Sequence, residues 1–121
     1  MNIEELESFC ERWLAAWTGN DPDSLLEFYA EDAFYSDPAV RRGLHGHAEM
    51  RGYFKKLLAA NPEWKWEVIE LIPTDKGCVG KWHASIPRGE AMVEEDGVDI
   101  VEISAGKITR NEVYFDPSRL K

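Results

Sequence analysis

Residues 57–86 read Leu57-Leu58-Ala59-Ala60-Asn61-Pro62-Glu63-Trp64-Lys65-Trp66-Glu67-Val68-Ile69-Glu70-Leu71-Ile72-Pro73-Thr74-Asp75-Lys76-Gly77-Cys78-Val79-Gly80-Lys81-Trp82-His83-Ala84-Ser85-Ile86, and the hydrophobic period changes inside them. Upstream of Asn61-Pro62, the residues Met50, Tyr53, Phe54, Leu57 and Leu58 recur at three- and four-residue steps, the spacing of one face of a helix over 47–60. Asn61-Pro62 breaks that pattern. Downstream the period is two: Trp64, Trp66 and Val68 share one face of a long strand, and Ile69 and Leu71 face the other way. Pro73 to Gly77 supplies a turn. Cys78 to Ile86 forms the next strand, with Cys78, Trp82, Ala84 and Ile86 on one side and Val79 and His83 on the other. A helix that hands over to strands joined by short turns predicts an α+β fold with an antiparallel sheet.

Working towards the N-terminus, Ile3, Leu6, Cys10, Trp13, Leu14 and Trp17 form one stripe of a helix over about 3–18. Asn2 and Glu5 pair as a capping box at its start, and Gly19-Asn20 closes it. Asp21 caps a second helix whose first residue is Pro22 and whose buried side is Leu25, Leu26, Phe28 and Tyr29. A brief strand, Phe34-Tyr35-Ser36, ends at Asp37-Pro38. Towards the C-terminus a third long strand covers about 90–104, with a bulge or bend expected at Asp96-Gly97. Ala105-Gly106-Lys107 turns the chain into a final strand that ends near Phe115. Three helices must bury their stripes on one face of this sheet, and the chain reads as one domain over 1–121.

The 121 residues carry 23 acidic and 14 basic side chains, a formal net charge of -9, which repels phosphate backbones and anionic lipid. Neither nucleic acid nor a membrane surface is an expected partner. No apolar run is long enough to cross a bilayer and the N-terminus lacks the pattern of a signal peptide, so a soluble, cytoplasmic protein is expected. Cys10 and Cys78 stand far apart in no C-x-x-C pair, which fits two reduced core thiols. Five Trp, five Phe and four Tyr suit the wide walls of a pocket for a flat, apolar ligand, although packing alone also uses such residues.

Several fragments carry a resemblance. Asn20-Asp21, then Leu25-Leu26-Glu27-Phe28-Tyr29-Ala30-Glu31-Asp32-Ala33, then Gly43-Leu44-His45-Gly46 running to Phe54, resemble the SnoaL-like family of the nuclear transport factor 2-like superfamily. Gly97-Val98-Asp99-Ile100-Val101 is similar to that family's penultimate strand. Gly106-Lys107-Ile108, ending in Tyr114-Phe115-Asp116, is similar to its closing strand. The resemblance implies a cone: a curved sheet covered by three N-terminal helices, open at one end as a ligand pocket. It further implies a frequent homodimer, and it is compatible with isomerase, cyclase and epoxide hydrolase activities or with none.

Candidate residues follow from both sources. Asp37 stands after a strand, where the isomerase-like members keep a proton-shuttling carboxylate; Asp before Pro also starts ordinary turns. Asp99 alternates with Val101 and Ile103, so it points with apolar residues unless the chain bends at Gly97, and it matches the protonated acid of the isomerase-like members. Asp116 resembles the terminal carboxylate of the family, and its other reading is a turn with Pro117. His83 is a mid-strand histidine able to move protons near neutral pH or simply to fill a structural role. Trp13 departs from the family pattern, since the isomerase-like members carry a hydrogen-bonding tyrosine there, which argues against steroid isomerase activity itself. With Trp13, the expected lining of the pocket is Trp17, Tyr35, Tyr53, Trp66, Trp82 and Tyr114. His45-Gly46-His47 lacks a carboxylate at ligand spacing, so no metal is expected, and no phosphate loop or dinucleotide fingerprint suggests a cofactor. The expected reading is a cofactor-independent acid–base enzyme for a small apolar carbonyl or epoxide, or a binding or assembly module with the same pocket.

Overall fold

The computed structural model describes residues 1–120, and in it helices α1 (Ile3–Ala15), α2 (Pro22–Leu26) and α3 (Gly46–Ala60) pack on one six-stranded sheet. The strands are β1 (Tyr29–Ser36), β2 (Leu44–His45), β3 (Lys65–Pro73), β4 (Gly77–Arg88), β5 (Ala91–Ser104) and β6 (Lys107–Tyr114). Their order across the sheet is β2-β1-β6-β5-β4-β3. The long strands β3 to β6 pair antiparallel with their neighbours, while β1 joins β6 in parallel, so the whole sheet is mixed. A 3-10 turn, Pro117–Leu120, follows β6.

The local signals act as their chemistry dictates. Asn2 accepts from the Glu5 main-chain N–H at 2.8 Å while Glu5 Oε1 accepts from Asn2 N–H at 3.1 Å, completing the capping box of α1. Helix α1 ends at Ala15 with Ala16 as its C-cap, earlier than the expected end near residue 18, and Gly19 and Asn20 take positive φ in the turn that follows; Asp21 caps α2 with Pro22 in its first turn. The buried stripe of α1 is Leu6, Phe9, Cys10, Trp13 and Leu14, continued by Trp17 in the turn that follows; Ile3 is exposed. Phe9 takes its place in that stripe, one residue before Cys10.

Three local expectations change. Tyr29 belongs to β1 rather than to the second helix, which ends at Leu26, so β1 starts well before Phe34. Its polar middle, Glu31 and Asp32, is solvent-exposed, while Tyr29, Ala33 and Tyr35 turn inward. Leu71 packs against the core instead of facing outward with Ile69, because the pairing of β3 with β4 shifts between Val68 and Glu70. One extra residue there moves the following side chains to the other face, leaving Ile69 and Ile72 exposed. Finally, β5 pairs without interruption through Asp96 and Gly97, and its irregularity lies instead at Glu102/Ile103, in the pairing with β6. Asp99 therefore keeps the inward direction that alternation gave it.

Gly97 fills a different role from the expected bend. It lies directly across from Trp82, and a Cβ built on it would come within 2.2 Å of the Trp82 ring and 2.8 Å of the Tyr114 carbonyl oxygen. The missing side chain is the space the indole occupies. Cys10 and Cys78 are free and buried, their sulfurs 4.0 Å apart between α1 and β4.

Gly97→Ala is expected to overpack this contact and lower stability by about 1–3 kcal/mol. Its urea midpoint should fall well below that of Gly89→Ala, whose added Cβ meets nothing within 4 Å and which carries only the strain of its positive φ. Equal midpoints would show that Trp82 is free to move.

Candidate functional site

The inward face of the sheet and the helices enclose a cavity of about 270 Å³ whose wall is mostly aromatic and aliphatic. Trp17 just after α1, Tyr53 and Leu57 from α3, Trp66 from β3, Trp82 and Ile86 from β4, and Val113 and Phe115 around the end of β6 contribute to it. The rings touch one another: Trp66 and Trp82 lie 4.6 Å apart edge-to-face, Trp82 and Phe115 5.6 Å, Trp64 and Trp66 5.0 Å. Such mutually wedged rings hold the hollow open, because none can rotate into it without losing its neighbours.

Two carboxylates reach this cavity in opposite surroundings. Asp99, 4% exposed on β5, accepts from Trp82 Nε1–H at 2.9 Å and from the Asn111 side-chain amide at 3.2 Å. Asn111 in turn accepts from the Tyr29 hydroxyl at 2.7 Å, which accepts from Trp13 Nε1–H at 3.1 Å. Burial pushes the Asp99 carboxyl up to about 7, with the charge of Asp37 adding to the rise and the two donors opposing it. Near neutral pH this group changes protonation state.

Asp37 follows β1 and is saturated with donors. Its Oδ1 accepts from the main-chain N–H groups of Ala39 at 2.8 Å and Val40 at 3.1 Å, and its Oδ2 accepts from the hydroxyls of Tyr35 at 2.8 Å and Tyr53 at 2.6 Å. The turn role and the pocket role thus coincide in one side chain. Burial pushes both phenols up, and the adjacent Asp37 carboxylate adds to that, so they serve as donors.

Of the remaining residues singled out in the sequence, Trp17, Tyr35, Tyr53, Trp66 and Trp82 line the same cavity. Trp13 stays behind the wall, tied to Tyr29. His83 points to the opposite side of β4, where Nδ1 meets Asp96 at 2.7 Å and Nε2 meets Glu94 at 3.0 Å. Asp96 foremost, with Glu94, raises its pKa. Tyr114 is 51% exposed and donates to Glu112 at 2.7 Å, since alternation along β6 sends Val113 inward in its place. Asp116 is outside the cavity lining, and its Oδ1 accepts the Ser118 N–H at 3.0 Å at the start of the 3-10 turn. His47 bonds the Tyr29 carbonyl oxygen through Nε2 at 2.8 Å, and no group of His, Cys, Asp or Glu among the described residues could hold a metal.

Sequence reasoning missed three polar parts of the site. Asn111 completes the Asp99 contact from the neighbouring strand, and only the register Val101↔Asn111 places it there. Asn61, buried at the helix end, and Arg88, at the end of β4, both line the cavity. Alternation from Trp82 through Ala84 and Ile86 would have put Arg88 on the inward face. Trp66 Nε1, finally, is buried with no hydrogen-bond partner among the described residues, an arrangement that costs about 1–3 kcal/mol.

The family model of the SnoaL-like domain matches residues 10–111, and the chain belongs to that family. The cone of helices on a curved sheet is that of the ketosteroid isomerase-like and nuclear transport factor 2-like proteins. A protein with a ketosteroid isomerase-like fold from Catenulispora acidiphila DSM 44928, in complex with trimethylamine, superposes with a TM-score of 0.79 at 17% identity, over 89% of this chain and 85% of that one. The epoxide hydrolase/cyclase-like enzyme SalBIII, which has a role in pyran ring formation in the polyether salinomycin, gives 0.80 at 21% identity over 97% and 95%. TerC, co-crystallised with polyporic acid, gives 0.75 at 19% over 93% and 94%. None of the curated proteins compared matches the sequence. No helix of the described residues is long and apolar enough to cross a membrane.

The raised Asp99 carboxyl has a consequence for stability. Between its ordinary value of 3.8 and about 7, the folded chain holds a proton that the unfolded chain has released, so stability falls as pH rises through that window. Asp99→Asn is expected to remove this part of the pH dependence, read as the urea midpoint from pH 4 to 8. A decline of the same steepness in the variant would place its origin elsewhere.

Proposed function

We propose that this chain is a cofactor-independent acid–base enzyme for a small, largely apolar molecule bearing a carbonyl or an epoxide. The observation that carries the reading is that Asp37 and Asp99 line one aromatic cavity, with Asp99 tuned to about 7. A general acid works best when its pKa lies near the working pH, and a dry wall strengthens its bond to a developing oxyanion. Asp99 is the proton donor to the substrate oxygen. Asp37 is the base that takes the proton from carbon, or from a water that opens an epoxide. It can do so only on Oδ2, because its Oδ1 is held by two main-chain N–H groups, and Tyr35 or Tyr53 must yield a position there. Tyr53, the less buried of the two, is the one that yields.

The same saturation of Asp37 favours a second reading, a module that binds its ligand without turning it over. A carboxylate with four donors is already satisfied, as a purely architectural group would be. The epoxide hydrolase/cyclase-like enzyme and the complexes with trimethylamine and polyporic acid among the similar structures support a small-molecule pocket in either case.

Incubating the protein in D2O with a panel of aromatic ketones and epoxides, followed by NMR, separates the two. Catalysis predicts deuterium entering beside the carbonyl or diol forming, slowed about 10²–10⁴-fold in Asp37→Asn. Ligands that bind but neither exchange nor open, with Asp37→Asn indistinguishable from the parent, would leave the binding module.

The outer face of the sheet adds a partner. Ile69 and Ile72 on β3 are exposed, as are Val98 and Tyr114, which lie directly opposite each other on β5 and β6. A second copy of the chain is the proposed cover, as in the homodimers the family resemblance implies. Light scattering should give twice 13.9 kDa, and Val98→Glu should give the single mass. A parent chain that scatters as a monomer at micromolar concentration overturns the pairing.

A further inference from the structure

Arg88 is the one cation among the residues lining the cavity, in a chain with 23 acidic residues, and among the described residues it forms no ion pair. Its Nη1 instead donates to Asn61 Oδ1 at 2.8 Å and to the Pro87 carbonyl oxygen at 2.9 Å. Asn61 is itself fixed, 7% exposed, with its amide donating to the Leu57 carbonyl oxygen at 3.0 Å. One edge of the guanidinium is thereby held by neutral acceptors at the end of α3, and Nε and Nη2 are left with no hydrogen bond to the described residues. A flexible arginine on a surface would have been free to reach one of the many carboxylates; this one is held at the cavity instead.

Its position along β4 gives the arrangement a direction. Asp99 lies across from Gly80, and the inward-facing residues then run Trp82, Ala84, Ile86 and Arg88. At about 3.3 Å per residue, Arg88 is up to roughly 20 Å along the strand from Trp82. The buried carboxyl therefore marks the inner end of the hollow, and the exposed Arg88, bonded to Asn61, marks its mouth.

From this geometry we infer that the ligand carries an anionic group, a carboxylate or an equivalent acidic oxygen, which Arg88 binds at the mouth while the apolar body lies among the indoles. The inference rests on the small-molecule reading of the cavity and narrows its substrate class to amphipathic acids. The net charge of -9 repels such a molecule at a distance, so its selection depends on this local cation. A guanidinium with its Nε/Nη2 edge free offers the forked donors that match a carboxylate, and Asn61 is a positioning residue that keeps the fork in place.

The test compares two probes of the same shape, 2-naphthoate and the neutral ketone 2-acetonaphthone, titrated against the intact protein by the fluorescence of the cavity tryptophans. Arg88→Met should weaken 2-naphthoate tenfold or more and leave the ketone within about twofold, and Arg88→Lys should restore part of the loss. Equal affinities of 2-naphthoate for parent and Arg88→Met, or equal losses for both probes, overturn the anchor while leaving the pocket intact. If the parent binds neither probe, the small-molecule reading itself fails, and the anchor with it.

Discussion

A carboxyl group has been buried to 4% exposure on the wall of an aromatic cavity, and much of the interior is arranged around that fact. Asp99 loses its water to an aromatic hollow and regains two hydrogen bonds, one from an indole and one from an amide. Two neutral donors do not replace a hydration shell, so the neutral acid is favoured well above its usual range. The donors have requirements of their own. Trp82 reaches Asp99 because Gly97 offers no side chain beneath its ring, and Asn111 is oriented by Tyr29, which is oriented by Trp13. One polar chain therefore links α1, β1, β6, β5 and β4, and each member would leave another unsatisfied if removed.

Asp37 shows the opposite solution to the same problem. It is nearly as buried, yet four donors converge on it, two of them main-chain groups that cannot turn away. Two acids with the same side chain are thus set apart by environment alone, which is how a site assigns different tasks to identical groups. Under the proposed acid–base reading, Asp99 exchanges a proton without breaking its contacts, whereas Asp37 has to displace a phenol first.

Much of this was legible in the order of residues. The change of period at Asn61-Pro62 and the capping pair Asn2 and Glu5 are local signals, and local chemistry decided them, whereas α1 stops at Ala15, before Gly19-Asn20. Alternation placed Asp99 inward. What escaped is what depends on pairing between distant strands. The shift at Val68/Glu70 reverses Leu71, and the parallel partnership of β1 with β6 has no signature in either strand. His83 was already on the side opposite Trp82 by alternation and Tyr114 is opposite Val113, but their acidic partners Glu94, Asp96 and Glu112 appear only in the fold. Asn111 was invisible for the converse reason: an asparagine in a strand carries no signal until the register sets it beside Asp99.

The distribution of charge completes the picture. Outer-face ion pairs, such as Arg110 with Glu102 and Glu112, absorb basic side chains far from the cavity, and His83 is likewise held by acids there. The hollow is left with two carboxylates inside and a single guanidinium at its rim. A ligand that enters must present an apolar body to the rings, because any cation would compete with the donors around Asp37 and any buried anion would meet Asp99 and Asp37 together. On the proposed reading, recognition of charge falls to the mouth and proton chemistry to the interior, and the length of β4 between Trp82 and Arg88 keeps the two apart.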